Sequence, residues 1–161
     1  MAAPQDFSKL FDSKKIYKQQ YAEMLSLPFS HDVPVVGYRV RNKDDAVLLE
    51  SMREGAKALG LPFLVFEEGS KKPHAEDLWR ACDVAFCFSD EDVIRAFAAG
   101  IVPLVPTGLL GAENYDPNRE KGNSFVYHGM SQWSMFSALV RATETFKFPF
   151  DWKCVVKNGK R

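Results

Sequence analysis

The sequence predicts a three-layer α/β domain built on a mainly parallel sheet of about five strands. Three observations carry that expectation. Short runs rich in Val, Ile, Leu and Phe alternate with helical patterns from Val33 to Phe146. Those runs are apolar at nearly every position, as strands covered on both faces require. Helix signals punctuate them: Ser89 and Ser131 sit where N-caps belong, and Gly60 and Gly100 where helices stop. Right-handed crossovers between parallel strands then give a doubly wound, Rossmann-like layering with helices on both faces.

The elements follow in order. Residues 14–27 read as a helix capped by Ser13, with Ile16, Tyr21, Met24 and Leu25 recurring near helical spacing. Residues 28–32 are a loop. Residues 33–40 are β-branched and short, a strand whose Pro34 delays its start. Arg41, Asn42 and Lys43 make a polar turn into a helix over 44–59. Leu49, Met52, Ala56 and Leu59 share one face of that helix, and Asp44 and Asp45 favour its N-terminus. Strands are expected at 62–66, 83–88, 101–105 and 125–127. The 69–73 loop and a short helix over 74–81 precede the third strand, and a helix runs from Ser89 through Ala99. Residues 107–122 form a long loop with several turn signals. Ser131 caps a helix to Phe146, with Trp133, Phe136, Val140 and Thr143 on one stripe. Residues 151–157 form a last helical turn.

The 161 residues amount to one domain, residues 1–161, with an N-terminal helix and lead-in over 1–32 and an α/β core over 33–150. Twenty-one basic residues balance twenty-one acidic ones, so the basic excess of a nucleic-acid-coating surface is absent. Cys82, Cys87 and Cys154 are an odd number without paired spacing, which fits buried, reduced thiols better than disulfides or zinc. The first residues lack a basic segment followed by an apolar run, and no stretch approaches the ~20 apolar residues of a membrane span. The expectation is a cytoplasmic protein without nucleic-acid or membrane partners.

Ligands of open α/β sheets bind beyond the carboxyl ends of the strands. Three cations, Arg39, Arg41 and Lys43, crowd the first such end. Guanidinium forks match phosphate oxygens, although a solvated turn has the same composition. Asp90, Glu91 and Asp92 follow the third strand, where carboxylates serve general acid/base chemistry or simply satisfy helix N-terminal donors. Thr107, Gly108 and Leu109 follow the fourth strand, where glycine permits close backbone approach. His31, His74 and His128 fall on separate segments, so neither a hydrolase triad nor a metal cluster is expected.

Several segments, in order, resemble the C-terminal Rossmann-like domain of bacterial glycogen synthases and plant starch synthases, glycosyltransferases of the GT-B architecture. Residues 17–28 and Asp32-Val-Pro-Val-Val-Gly-Tyr38 with Arg41 are similar to the family's opening helix and "DVPLIGFIGR" strand. Cys82-Asp-Val-Ala-Phe-Cys-Phe-Ser89 resembles "ADVFLMPS". Ala99-Gly-Ile-Val-Pro-Leu-Val-Pro-Thr-Gly-Leu109 resembles "YGTVPVVRRTGGL". Residues 112–127, containing Tyr115-Asp-Pro117 and Lys121-Gly122, resemble "DTVxDYDPxxxKGTGFVF". Residues 138–146 and Trp152 are similar to the family's final helix and tryptophan.

The resemblance implies half of a nucleotide-sugar cleft that takes ADP- or UDP-glucose. Arg41, Ser89, Thr107, Gly108 and Leu109 are the implied nucleotide- and phosphate-binding residues. No catalytic residue is assigned; Asp90 and Glu91 are the candidates, as a shortened remnant of the family's "FEPCGL" loop. The departures are specific. Asp44-Asp45-Ala46 stands where the family has a "QKG" lysine. The βα unit ending in "LGxGD" is absent, and Arg95 stands where relatives use a ribose-binding Glu. The family's N-terminal domain has no counterpart, which implies inactivity alone and a protein partner supplying the missing half. The alternative is a non-catalytic interaction or regulatory domain on the same fold. No cofactor and no metal are expected. Trp133, Phe148 and Phe150 are candidates for an exposed apolar patch, with core packing expected for Trp133.

Overall fold

The computed structural model describes residues 7–25, 30–41, 45–67 and 75–160. The elements are α1 Phe7–Met24, β1 Val36–Val40, α2 Ala46–Ala58, β2 Phe63–Glu67, α3 Ala75–Ala81, β3 Val84–Phe86, α4 Asp90–Ala98, β4 Val102–Pro106, β5 Phe125–Tyr127, α5 Gln132–Phe146 and α6 Pro149–Gly159. The expected helix end at 26–27, the turn residues Asn42 and Lys43, the helix start at Asp44, the 69–73 loop and His74 lie outside the described residues. All five strands are parallel, in the order β2-β1-β3-β4-β5. The three-layer α/β arrangement is therefore as expected.

Strand alternation divides the core in two. Val36 and Tyr38 of β1, Val84 and Phe86 of β3, Val102 and Leu104 of β4, and Phe125 and Tyr127 of β5 share one face. Met52 and Ala56 of α2, Met135, Ala138 and Leu139 of α5, and Trp152 and Val155 of α6 cover it. Ala85, Cys87 and Val105 point to the other face, against Trp79 of α3 and Val93 and Ala96 of α4. The helix after β1 and the helix after β3 thus lie on opposite faces. In this strand order that makes the gap between β1 and β3 the topological switch point, where a crevice opens.

α1 differs most from expectation. It begins at Phe7, so Ser13 lies within the helix and caps nothing. Ile16, Met24 and Leu25 are exposed, and the buried stripe is Lys14, Lys18 and Tyr21, at i, i+4 and i+7. The lysines point inward because their ammonium groups find carbonyls left over at the amino-terminal edge of the sheet. Lys14 Nζ donates to the carbonyls of Arg80 at 2.6 Å, Cys82 at 2.7 Å and Ala99 at 3.1 Å, tying together the ends of α3 and α4. Lys18 Nζ donates to Val33 O at 3.2 Å and pairs with Asp83 at 2.8 Å; Asp83 Oδ2 also accepts the Val35 N–H. Gly100, at φ 68, lets Leu10 of α1 lie against the backbone where a Cβ would clash. Burial pushes the Lys14 ammonium down to about 8, with Asp83 opposing the shift.

Other expectations shift by smaller amounts. The β1 ladder starts at Val36, after Pro34, which cannot donate. Ser89 and Ser131 do cap α4 and α5, accepting the N–H groups of Asp92 at 3.2 Å and Ser134 at 3.1 Å. The expected stripe of α5 is rotated. Met135, Ala138, Leu139 and Ala142 are buried, and Trp133 is 73% exposed instead of packed in the core. The aromatic pattern misleads because small Ala138 and Ala142 face the sheet, where close helix approach leaves no room for rings. The expected last turn is an eleven-residue helix with Pro149 in its first turn. Phe148 and Phe150 at its start are exposed, as proposed from the sequence. Cys82, Cys87 and Cys154 form no disulfide; the first two are buried, and burial raises the pKa of both. No helix of the described residues is long and apolar enough to cross a membrane.

Candidate functional site

Arg41, Ser89 and Thr107 follow β1, β3 and β4, three adjacent strands, so the fold brings them to one edge. The outer two are two strand spacings apart, about 10 Å. The turn bearing Ser89 and Asp90 fills the interval. This carboxyl edge is opposite the one that α1 closes.

Of the three cations near β1, two are described. Arg39 is committed: Nε donates to Asp92 Oδ1 at 3.1 Å, and the guanidinium lies 5.5 Å from the Trp79 ring centroid. Strand parity turns Arg39 to the α3/α4 face. Arg41 is exposed at the rim, and its backbone N–H donates to Asp45 Oδ2 at 3.2 Å. Both arginines line a concavity of about 1250 Å³ that also takes in Ser89, Glu91 and Asp92.

The acidic run is paired throughout. Asp92 holds Arg39, and Glu91 pairs with Arg95 at 3.0 Å one helical turn on. Arg95 is thus engaged by Glu91. Asp90 Oδ1 accepts the Leu110 N–H at 2.8 Å, bridging the start of α4 to the loop after β4. Two of the three carboxylates thus carry a cation each, and only Asp90 directs uncompensated charge at the loop.

In that loop the Thr107 N–H continues the sheet by donating to Tyr127 O at 3.2 Å. Gly108 has φ 96, and a Cβ there would meet nothing within 4 Å, so space above it is open. No group among the described residues takes the N–H of Gly108 or Leu109. Those two amides, rather than that of Thr107, are the donors on offer. Ser89 Oγ is engaged as the α4 cap, which limits it to a secondary contact.

The rest of the long loop proves structural. Asp116 and Lys121 pair as an isolated bridge, and Asp116 Oδ1 accepts the Asn118 N–H at 2.9 Å, an Asx turn. Tyr115 Oη donates to Asp151 at 2.7 Å, and Asn158 Nδ2 donates to the carbonyls of Glu120 and Gly122, so α6 staples the loop. Arg141 reaches Asn114 Oδ1 at 3.0 Å and Val126 O at 2.7 Å from α5. The Tyr-Asp-Pro and Lys-Gly signals that mark the resemblance thus shape a turn. Sequence reasoning missed Asp45 and Leu110 as site neighbours, because each acts through a contact with another loop. A second concavity, about 750 Å³, is apolar and runs between α2 and α5, with Val47, Trp133 and Phe136 on its walls. Among the described residues no three His, Cys, Asp or Glu side chains gather as metal ligands.

Neither a family model nor a curated protein sequence matches the chain. Among solved structures, it is similar to the catalytic domain of starch synthase IV from Arabidopsis thaliana bound to ADP and acarbose, with a TM-score of 0.71 at 16% sequence identity. The match covers 91% of this chain and 38% of that one. The chain therefore has the Rossmann-like fold of one part of a GT-B glycosyltransferase.

Proposed function

We propose that this domain binds a nucleotide or nucleotide sugar, ADP- or UDP-glucose, as one half of a glycosyltransferase-like cleft. The observation that carries the reading is that the exposed Arg41 and the open Gly108–Leu109 amides stand at the same carboxyl edge, at the ends of β1 and β4 with the Ser89 turn between them, although the concavity lined by Arg41 does not reach the Thr107–Leu109 loop. A guanidinium and two backbone donors across such a crevice suit a diphosphate, and glycine admits the phosphate close to the chain. The similar starch synthase domain was solved with ADP, which supports the ligand class.

Sugar transfer needs groups from the facing half of the cleft. We assign that half to another domain, on a partner or elsewhere in a longer chain. Leu110, Met130 and Trp133 are exposed apolar side chains on loops or helix starts at this edge, where such a domain would close.

One observation favours a second reading, a non-catalytic interaction domain. Asp90 already occupies the Leu110 amide with a carboxylate, an anion from within the chain. Titrating ADP, UDP and their glucose esters while following backbone amide resonances separates the two. Saturable shifts at Arg41, Gly108 and Leu109 support nucleotide binding. Silence of those amides at millimolar ligand rejects it and leaves the interaction domain.

A further inference from the structure

One glycine sets the floor of the apolar groove between α2 and α5. A Cβ on Gly55 would meet the Phe136 ring at 2.7 Å, so glycine lets that ring lie against α2. Val47 and Trp133, 75% and 73% exposed, form its walls. Large apolar side chains left this open around a groove mark a surface that another molecule covers. Trp133 lines this groove and not the crevice of Arg41. Along the α2 rim Val47, Glu50 and Glu54 follow at i, i+3 and i+7, one apolar residue and then two carboxylates.

The chain carries the complement on α6. Phe150, 64% exposed, is followed at the same spacing by Lys153 and Lys157, and the exposed Phe148 stands just before it. The two ammonium groups lie over the rings of Phe11 and Phe7, 5.8 and 5.4 Å from the centroids. Among the described residues neither lysine has a carboxylate partner, and Glu54 has no cation. Glu50 pairs only with the exposed Arg53, at 3.1 Å, a surface contact that exchanges at little cost. α6 cannot fill the groove of its own chain. Trp133 and Phe146 stand near opposite ends of α5, about 20 Å apart at the helical rise, and Phe150 lies beyond the far end.

We propose that the α2/α5 groove binds α6 of a second copy of this chain. Phe150 enters between Val47 and Trp133, and Lys153 and Lys157 run along Glu50 and Glu54. Both rows begin with the apolar residue and continue with the charges, so α6 lies parallel to α2. The two surfaces differ, so the association is head-to-tail, and each copy leaves one surface free for the next. The contact needs no nucleotide.

Sedimentation velocity of the wild-type chain from micromolar to millimolar concentration tests this, alongside Trp133→Ser and Phe150→Ser. Expected is a wild-type mass that grows with concentration and falls with added salt, which screens the lysine–glutamate contacts. Each variant should weaken association at least about tenfold, the scale of a lost aromatic anchor. Mixed one to one, the variants should form a dimer and nothing larger, because the intact α6 of Trp133→Ser meets the intact groove of Phe150→Ser. A wild type that stays monomeric at millimolar concentration overturns the proposal, as do variants that associate like the wild type. A mixture that associates no better than its parts also overturns it, because a groove that pairs with a second groove behaves that way. Should either variant fail to fold, Lys153→Glu with Lys157→Glu takes its place. Unaltered association in that variant rejects α6 as the occupant.

Discussion

The Asp90 carboxylate accepts the Leu110 N–H at 2.8 Å, so a side chain of this domain sits in the loop where a ligand anion would seek amide donors. The contact joins two strand ends through one charge-assisted hydrogen bond. Asp90→Asn keeps an acceptor for Leu110 and removes the charge. ADP should then bind about two- to fivefold tighter, the scale of one partly exposed charge interaction. Calorimetric titration of both proteins checks it. Equal or weaker binding by Asp90→Asn would place the anion away from this loop.

Arg41 is an exposed cation at the crevice rim. One charge-assisted hydrogen bond contributes about 1.5–3 kcal/mol, so Arg41→Ala should weaken a diphosphate ligand roughly ten- to a hundredfold. Stability should barely change, since the side chain is exposed. Unaltered affinity in a titration of Arg41→Ala with ADP would remove Arg41 from the site.

At the opposite edge, Lys18 and Asp83 form an ion pair with side chains only 4% and 5% exposed. Lys18→Met leaves the Asp83 carboxylate buried without its cation, which costs about 3–5 kcal/mol. Lys18→Met with Asp83→Asn should recover part of that loss. Urea unfolding of the three proteins measures it, and a single variant as stable as the wild type would contradict the pairing.

The pH dependence of stability has a defined sign. Burial lowers the Lys14 pKa from 10.5 to about 8, so between those values the unfolded chain holds more protons than the folded one. The Lys14 contribution to stability should rise with pH across that window, by about 3 kcal/mol if the shift is fully expressed. Burial raises Tyr21 from 10.0 to about 12, so there the folded chain holds more protons and stability falls from pH 10 upward. Burial also pushes the Cys82 and Cys87 thiols up from 9.0, so the folded chain keeps those two protons as well and stability falls from about pH 9; unfolding free energy should therefore peak near pH 9. Lys14→Met should abolish the rise below the peak while leaving the fall above it. A wild-type curve that declines steadily from pH 8 would refute the assignment.

Transfer chemistry should be absent from the domain by itself. Asp90 and Glu91, the candidate catalytic carboxylates, are engaged with the Leu110 amide and with Arg95. The purified chain should release no glucose from ADP- or UDP-glucose, with or without a glucan acceptor. Steady turnover in a coupled assay would mean that these 161 residues contain a complete active site.

Much of this was legible in the sequence because it depends on neighbours along the chain. Ser89 and Ser131 cap the helices that follow them, and Gly60 and Gly100 adopt the positive φ that ends the ones before. Continuously apolar strands announce burial on both faces, and a parallel sheet follows from that. The candidate edge is equally local, since Arg41, Ser89 and Thr107 each stand just after a strand.

Tertiary structure decided what depends on distant partners. Lys14 and Lys18 are polar by composition and buried in fact, because carbonyls 15 to 85 residues away accept their protons. Trp133 is apolar by composition and exposed, because alanines let α5 approach the sheet with the ring turned away. Asp90 reads as a helix-start carboxylate, and only the adjacency of β3 and β4 puts the Leu110 amide within its reach. Side-chain periodicity reports which face of an element prefers to leave water. It does not report which hydrogen-bonding groups wait on the other side, and here those groups settle where the charges lie.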